Sequence, residues 1–168
     1  KKEETIRVIM GPQDNYFTDD AIGAFLNSKY TITSEADRMG YRLDGPKIIH
    51  KKDADIISDG IVFGSIQVPG HGSPIIMMAD RATTGGYTKI ATVITPDLSK
   101  LGQMGIGSLI RFKKVSLEEA HQIYKEYENT FNEIKDIIDR NRFEFNKIRK
   151  LNLKIDRKSY NVSIREIK

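Results

Sequence analysis

Apolar residues come in short, turn-bounded clusters through the first two thirds of the chain and at helical spacing in the last third. Ile6-Arg7-Val8-Ile9-Met10 predicts a strand that stops at Gly11-Pro12. Thr18 predicts a helix cap, with Asp19 and Asp20 complementing the dipole of the first turn and Ala21, Ile22, Phe25 and Leu26 forming the apolar face. Further strands are predicted at 30–33, 41–43, 60–68, 75–79, 89–95 and 108–115, with a second helical segment near Asp97. Short strands with only two helical interruptions point to a small barrel or sandwich and away from a βαβ repeat. Ile75-Ile76-Met77-Met78-Ala79 is apolar throughout, so it is expected to be buried on both faces.

The tail has a different character. All 13 glycines and all 5 prolines lie at or before Gly107, and their absence afterwards predicts a mostly helical segment. Ser116-Leu117-Glu118-Glu119 is a capping box, in which serine and glutamate satisfy each other's end of the first turn. Leu117, Ala120, Tyr124, Tyr127, Phe131, Ile134 and Ile138 then recur in steps of three and four, which predicts one amphipathic helix from about Leu117 to about Phe145. Its apolar face is expected to pack on the rest of the domain, being short for a coiled coil. Tyr160-Asn161-Val162-Ser163-Ile164 alternates and predicts an edge strand. The expected division is a barrel over 1–115 and a helix plus terminal strand over 116–168.

Composition narrows the function. With 168 residues, 39% hydrophobic and 30% charged, the chain is one soluble module, and no apolar run approaches the roughly 18 to 20 residues of a membrane span. A cytoplasmic protein with no membrane partner is expected. The lack of cysteine excludes a disulfide scaffold, cysteine-ligated zinc, iron-sulfur clusters and a cysteine nucleophile. Residues 1–112 hold 13 basic and 13 acidic side chains, so the whole net charge of +4 belongs to the tail. There the acids alternate with the bases as on a solvated helix, and a nucleic-acid partner is not expected.

Standard chemical motifs are missing. Gly85-Gly86-Tyr87-Thr88-Lys89 has the glycines and lysine of a phosphate loop in the wrong order, and Gly105-Ile106-Gly107 is a lone pair of glycines. Asp14 to Asp20 lacks the glycine and closing glutamate of a calcium loop, and His50, His71 and His121 are too scattered for a local metal motif. No metal is expected. What remains is a dense polar stretch from Gln67 to Lys89. Asp80-Arg81 leaves the core at the end of an apolar strand, where charges need partners. Two readings stay open: an internal Asp80–Arg81 ion pair with Thr and Gly turns closing a barrel, or an anion pocket built by Arg81, Lys89, Thr83, Thr84 and the Gly85 and Gly86 amides. A second cluster, Ser34 to Leu43, reads as salt-bridged structure.

Several segments carry a family resemblance: Gly11-Pro12-Gln13 with Tyr16-Phe17-Thr18, Asp37 to Pro46, Ser58-Asp59-Gly60, Ile66-Gln67-Val68-Pro69-Gly70, and Ala79 to Tyr87 with Lys89 to Ile94. In that order, over about Ile6 to Ala120, they resemble the C-terminal half of the biotin-dependent carboxyltransferase family. Its members include KipA-like proteins (allophanate hydrolase subunit 2), the C subunit of bacterial 5-oxoprolinase and the carboxyltransferase domain of urea carboxylase. The resemblance implies a mainly β, cyclophilin-like barrel, a family chain about twice as long with Lys1 at an internal linker, a KipI-like partner subunit and, for 5-oxoprolinase, a LamB/YcsF-like third subunit. It leaves three activities: ATP-dependent opening of the 5-oxoproline lactam, carboxyl transfer from carboxybiotin to urea or a related amide, and non-enzymatic binding of a KipI-like kinase inhibitor. ATP would be used by the complex, or biotin supplied by another domain, with no cofactor assigned to this chain. On the amide-hydrolase reading, Arg81 and Lys89 hold the anionic centre, Gln67 and Thr84 meet the amide edges, and Asp80 orients Arg81 or accepts a proton. Thr83, Gly85, Gly86 and Tyr87 complete the substrate pocket. His71 lies at a loop position and is given little weight as a base.

Overall fold

A computed structural model describes residues 2–145 and 149–164; the predicted tail's residues 146–148 and 165–168 lie outside the described residues. They fall into two compact units, residues 1–124 and 125–168.

The first unit is a closed barrel. Strand β1, Glu3–Met10, turns Ile6 and Val8 fully into the core, and Arg7 between them faces outward. After a short 3-10 turn at Asp14–Tyr16, helix α1, Asp19–Asn27, begins as predicted: the Thr18 hydroxyl accepts from the Ala21 N–H at 3.1 Å. Strands β2 (Lys29–Ile32) and β3 (Gly40–Asp44) follow, then β4 (Asp55–Gly60), β5 (Ser65–Gln67), β6 (Ile75–Met77), β7 (Thr84–Tyr87) and β8 (Lys89–Val93). Helix α2 spans Thr95–Gly102, β9 spans Leu109–Lys114, and α3 spans Leu117–Phe145.

Seven strands close in the order β1-β8-β5-β6-β3-β2-β9. Every junction is antiparallel except the last, where β1 and β9 run parallel in register from Glu3↔Leu109 to Val8↔Lys114. The interior is filled by Ile6, Val8, Ile66, Ile76, Ile90 and Ile110, and α1 closes one side by stacking Phe25 on Phe112 with ring centroids 4.4 Å apart. Burial pushes the Tyr30 phenol up to about 12, and its hydroxyl donates to the Pro46 carbonyl at 3.3 Å.

Three expectations need correction. β6 alternates, with Ile76 and Met78 buried but Ile75 and Met77 half-exposed, because a barrel strand has one face inward and one outward. The single strand expected over 60–68 is broken at 61–64, where Gly64 adopts φ +87°, so Gly60 ends β4 and Ser65 starts β5. Strands β4 and β7 were not anticipated; they form a separate two-stranded sheet whose register slips between Asp55 and Asp59, leaving Ile57 almost fully exposed.

The capping box of α3 forms, Ser116 N–H donating to Glu119 and Glu119 N–H to Ser116 at 2.8 and 3.1 Å. Its apolar stripe does not find the cover expected of it: Leu117, Tyr124, Phe131, Ile134 and Ile138 are exposed. In the second unit β10 (Arg149–Ile155) and β11 (Lys158–Ile164) form a hairpin. The Tyr160 segment is thus a strand, paired with β10. Asp156 and Arg157, at φ 51° and 62°, make the tight mirror-image turn that matches strand twist. Among the described residues no helix is long and apolar enough to cross a membrane.

The strongest polar link in the barrel is Asp97. Fully buried at the start of α2, it accepts from the Arg7 backbone N–H at 2.8 Å, from Arg7 Nε at 2.9 Å and from Arg7 Nη2 at 2.5 Å, and it pairs with Lys100 at 3.1 Å. Burial pushes its carboxyl up, but the Arg7 and Lys100 bonds together outweigh that and hold it below the ordinary carboxylate range. Asp97→Asn is expected to cost about 3 kcal/mol in urea unfolding at neutral pH, the low end for a broken buried pair because Arg7 keeps some contact with water. With its folded pKa below the unfolded one, Asp97's contribution is complete above the unfolded carboxylate range. It drains away as pH falls through the depressed value, so the gap between wild type and variant should narrow in acid.

Candidate functional site

The region where β8 begins is built around a close backbone approach. A Cβ on Gly11 would lie 2.3 Å from the Lys89 carbonyl oxygen, so only glycine lets the chain leaving β1 press onto β8. The Gly11 N–H donates to the Ile90 carbonyl at 2.8 Å, and the Gln13 side-chain oxygen accepts from the Lys89 N–H at 3.1 Å. The Lys89 side chain is thereby roofed: it is only 3% exposed, and its ammonium donates to Asp59 Oδ2 at 2.8 Å. That bond, followed by the Gly60 N–H, holds the Asp59 carboxyl below its usual range, with a smaller contribution from Gln13. A buried ammonium beside a half-exposed carboxylate is a charge pair with one side open to a ligand.

Gln67 faces Lys89 across the β5–β8 ladder and is 5% exposed. Among the described residues, its buried Nε2 finds no hydrogen-bond partner. The β7 backbone packs closely on it: a Cβ on Gly85 would sit 3.2 Å from Gln67 Nε2 and only 2.7 Å from Ile61 Cδ1, so glycine is what fits at that position. Gly85 therefore lets β7 pack directly against an unsatisfied amide donor, and such a donor is costly unless something else pairs with it.

The predicted site residues divide into two groups. Gln67, Lys89 and Gly85 come together, joined by Gln13 and Asp59, which residue-by-residue reasoning did not select. Thr84, Gly85, Gly86 and Tyr87 form β7, with Thr84 opposite Gly60 and Tyr87 opposite Asp55; a Cβ on Gly86 would press the Ile56 carbonyl at 3.3 Å. The Thr83 carbonyl accepts from the Ile61 N–H at 2.9 Å. Arg81 and Asp80 stand apart and do not pair. Asp80 takes both its bonds from Arg38, at 2.6 and 3.1 Å, in an exposed bridge that lowers the Asp80 carboxyl. It therefore does not orient Arg81. The Arg81 guanidinium donates to the carbonyls of Ile61, Met78 and Ala79 at 3.2 to 3.5 Å and lies 5.7 Å from the Phe63 ring. It pins the wall whose Ile61 side chain packs against Gly85. His71 is exposed, as a loop residue should be. Among the described residues no cluster of histidine and carboxylate side chains could hold a metal ion.

The class is that of a closed, mainly β barrel, here with a buried lysine and, among the described residues, an unpartnered buried amide donor on adjoining strands. The carboxyltransferase domain family, subdomains A and B, matches residues 1–114, and the chain belongs to that family. It is 40% identical over 136 residues to the C subunit of 5-oxoprolinase from Haemophilus influenzae, covering 81% of this chain and 44% of that protein. It is 37% identical over 129 residues to the corresponding 5-oxoprolinase protein of Escherichia coli, covering 77% of this chain and 42% of that protein. The chain thus spans less than half the length of these relatives. The crystal structure of the K. lactis urea amidolyase superimposes with a TM-score of 0.73 at 27% identity, over 77% of this chain and 8% of that one.

Gln67→Met removes an unsatisfied buried donor while keeping volume, so it is expected to raise stability by about 1 kcal/mol. Thermal melting of the variant against wild type measures it. Arg81→Lys cannot reproduce the three carbonyl bonds and is expected to lower stability by about 1 kcal/mol.

Proposed function

We propose that this chain is the C-terminal part of a 5-oxoprolinase-type subunit, acting with a KipI-like partner and a LamB/YcsF-like subunit to open the 5-oxoproline lactam to glutamate at the expense of ATP. The observation that carries the reading is the buried, unpartnered Gln67 amide beside the Lys89–Asp59 pair. A lactam presents a carbonyl oxygen that accepts and a carboxylate that seeks a cation. Gln67 Nε2 is the donor for the lactam oxygen and Lys89 the cation for negative charge. Identity of 40% and 37% to two proteins bearing that name supports this choice over its rival.

In the proposed reaction, the lactam oxygen attacks the γ-phosphorus of ATP and ADP leaves. Water then adds to the activated carbon, the ring C–N bond breaks with the nitrogen taking a proton to leave a γ-acyl phosphate, and a second water hydrolyses that acyl phosphate to phosphate and the γ-carboxylate. Negative charge grows on the carbon's oxygen substituent as water adds, where Gln67 and Lys89 stabilise it. Asp59 holds the Lys89 ammonium in place. ATP is handled with the partner subunits, since this chain carries no phosphate loop. A second reading, carboxyl transfer to urea, draws on the likeness to the K. lactis urea amidolyase; there the same donors would hold a carboxylate and a ureido oxygen.

The test is glutamate release from 5-oxoproline with ATP by the assembled complex, beside biotin-dependent carboxylation of urea by the same preparation. Glutamate release is expected, and this 168-residue chain alone is expected to be silent for want of the elements that close a water-excluding site. In the complex, Gln67→Met should lower kcat/KM by about two to three powers of ten, the loss typical of one oxyanion donor, while the fold is retained. Urea carboxylation without glutamate release would replace the proposal with the second reading.

A further inference from the structure

A groove of about 370 Å³ is lined by Lys47, His50, Lys52, Asp53, Gly70 and His71 among others. Its position relative to the proposed site is fixed by hydrogen bonds. His50 Nε2 lies 3.1 Å from the Val68 carbonyl and 3.0 Å from Thr88 Oγ1, and Val68 and Thr88 directly follow Gln67 and precede Lys89. A carbonyl only accepts, so Nε2 carries the hydrogen. The ring also packs on Phe17, with centroids 4.7 Å apart.

The walls are held as firmly. Gly72 takes φ +78°, and a Cβ there would press the Ile48 backbone at 3.1 to 3.2 Å; its carbonyl accepts from the Ile48 N–H at 2.9 Å. The loop carrying Gly70 and His71 is thereby locked against the segment carrying Lys47.

The charges set this groove apart. Among the described residues, every lysine and arginine between positions 2 and 112 forms an ion pair with a carboxylate, except Lys47, Lys52 and Arg81. Arg81 is occupied by main-chain carbonyls, which leaves Lys47 and Lys52, both on this one groove. Lys47 reaches only the Ser73 hydroxyl, at 2.5 Å, and Lys52 lies 5.5 Å from the Tyr16 ring centroid. Asp53 on the lining pairs with neither, whereas the neighbouring Lys51 is taken by Asp19 at 3.3 Å.

We infer that this groove binds a phosphate-bearing small molecule, with Lys47 and Lys52 as its cationic contacts. Two lysines without a carboxylate partner on the lining of one concavity suit a group with close to two negative charges and several acceptor oxygens, as a phosphate monoester has near neutral pH. A volume of about 370 Å³ exceeds a bare phosphate and leaves room for the molecule that carries it. The inference does not rest on the 5-oxoproline reading, because none of these side chains is assigned to that site.

The test titrates the 168-residue chain with inorganic pyrophosphate by calorimetry at low salt, with glutarate as a dicarboxylate for comparison. Saturable pyrophosphate binding is expected, weakened about ten-fold in Lys47→Gln/Lys52→Gln, equal to about 1.4 kcal/mol, and unchanged in Lys51→Gln. Circular dichroism melts confirm that the variants fold. Three results would overturn it: no saturable binding, an equal loss in Lys51→Gln, which would mean diffuse surface charge, or glutarate binding as tightly as pyrophosphate.

Discussion

A ring of seven strands cannot be antiparallel at every junction, because direction must alternate around the ring and seven is odd. One junction has to run parallel, and here it is β1 with β9. The chain can reach that geometry only by stepping over β1 on its way from β8 to β9, and α2 is the step. A crossover of this kind needs an anchor on the strand it crosses, and Asp97 supplies one by gripping the outward-facing Arg7 of β1 through three hydrogen bonds. The buried ion pair is therefore a registry device, placed where two nonpolar surfaces could slide without losing much energy.

The same closure builds the candidate site. With β1 held between β8 and β9, its end must come off the barrel beside the start of β8, and Gly11 allows the contact to be tight enough for Gln13 to cover Lys89. The antiparallel β5–β8 ladder then brings Gln67 opposite, and the β4–β7 sheet brings Asp59 onto Lys89 and Gly85 against Gln67. Most of the molecule satisfies its buried polar groups; the Gln67 amide, among the described residues, does not. Local instability accepted at one point of an otherwise satisfied barrel fits a place kept ready for a ligand.

Much of this was legible along the chain. The alternation of Ile6 and Val8, the Thr18 cap and the Ser116–Glu119 capping box read correctly because each depends on neighbours within a turn or a strand. β7 was not, because Thr-Thr-Gly-Gly-Tyr reads as a turn; its glycines serve close approach to β4, which no local pattern records. β4 was hidden by its own bulge, which breaks the alternation between Asp55 and Asp59. Asp80 and Arg81 looked like a pair because they are adjacent, yet Asp80 finds its partner 42 residues away at Arg38. Gln67 and Lys89 were identifiable as polar residues at strand ends, whereas Asp59 and Gln13 acquire meaning only once the barrel closes. The long helix was predicted from its period, but periodicity cannot say what its apolar stripe would meet.

The central claim is that the Gln67 amide is held unpaired in order to meet a substrate amide oxygen. A crystal structure of the assembled complex with 5-oxoproline tests it most directly. The account predicts the lactam oxygen within roughly 2.7–3.2 Å of Gln67 Nε2. A lactam bound elsewhere, with Gln67 Nε2 still lacking a partner, would contradict it.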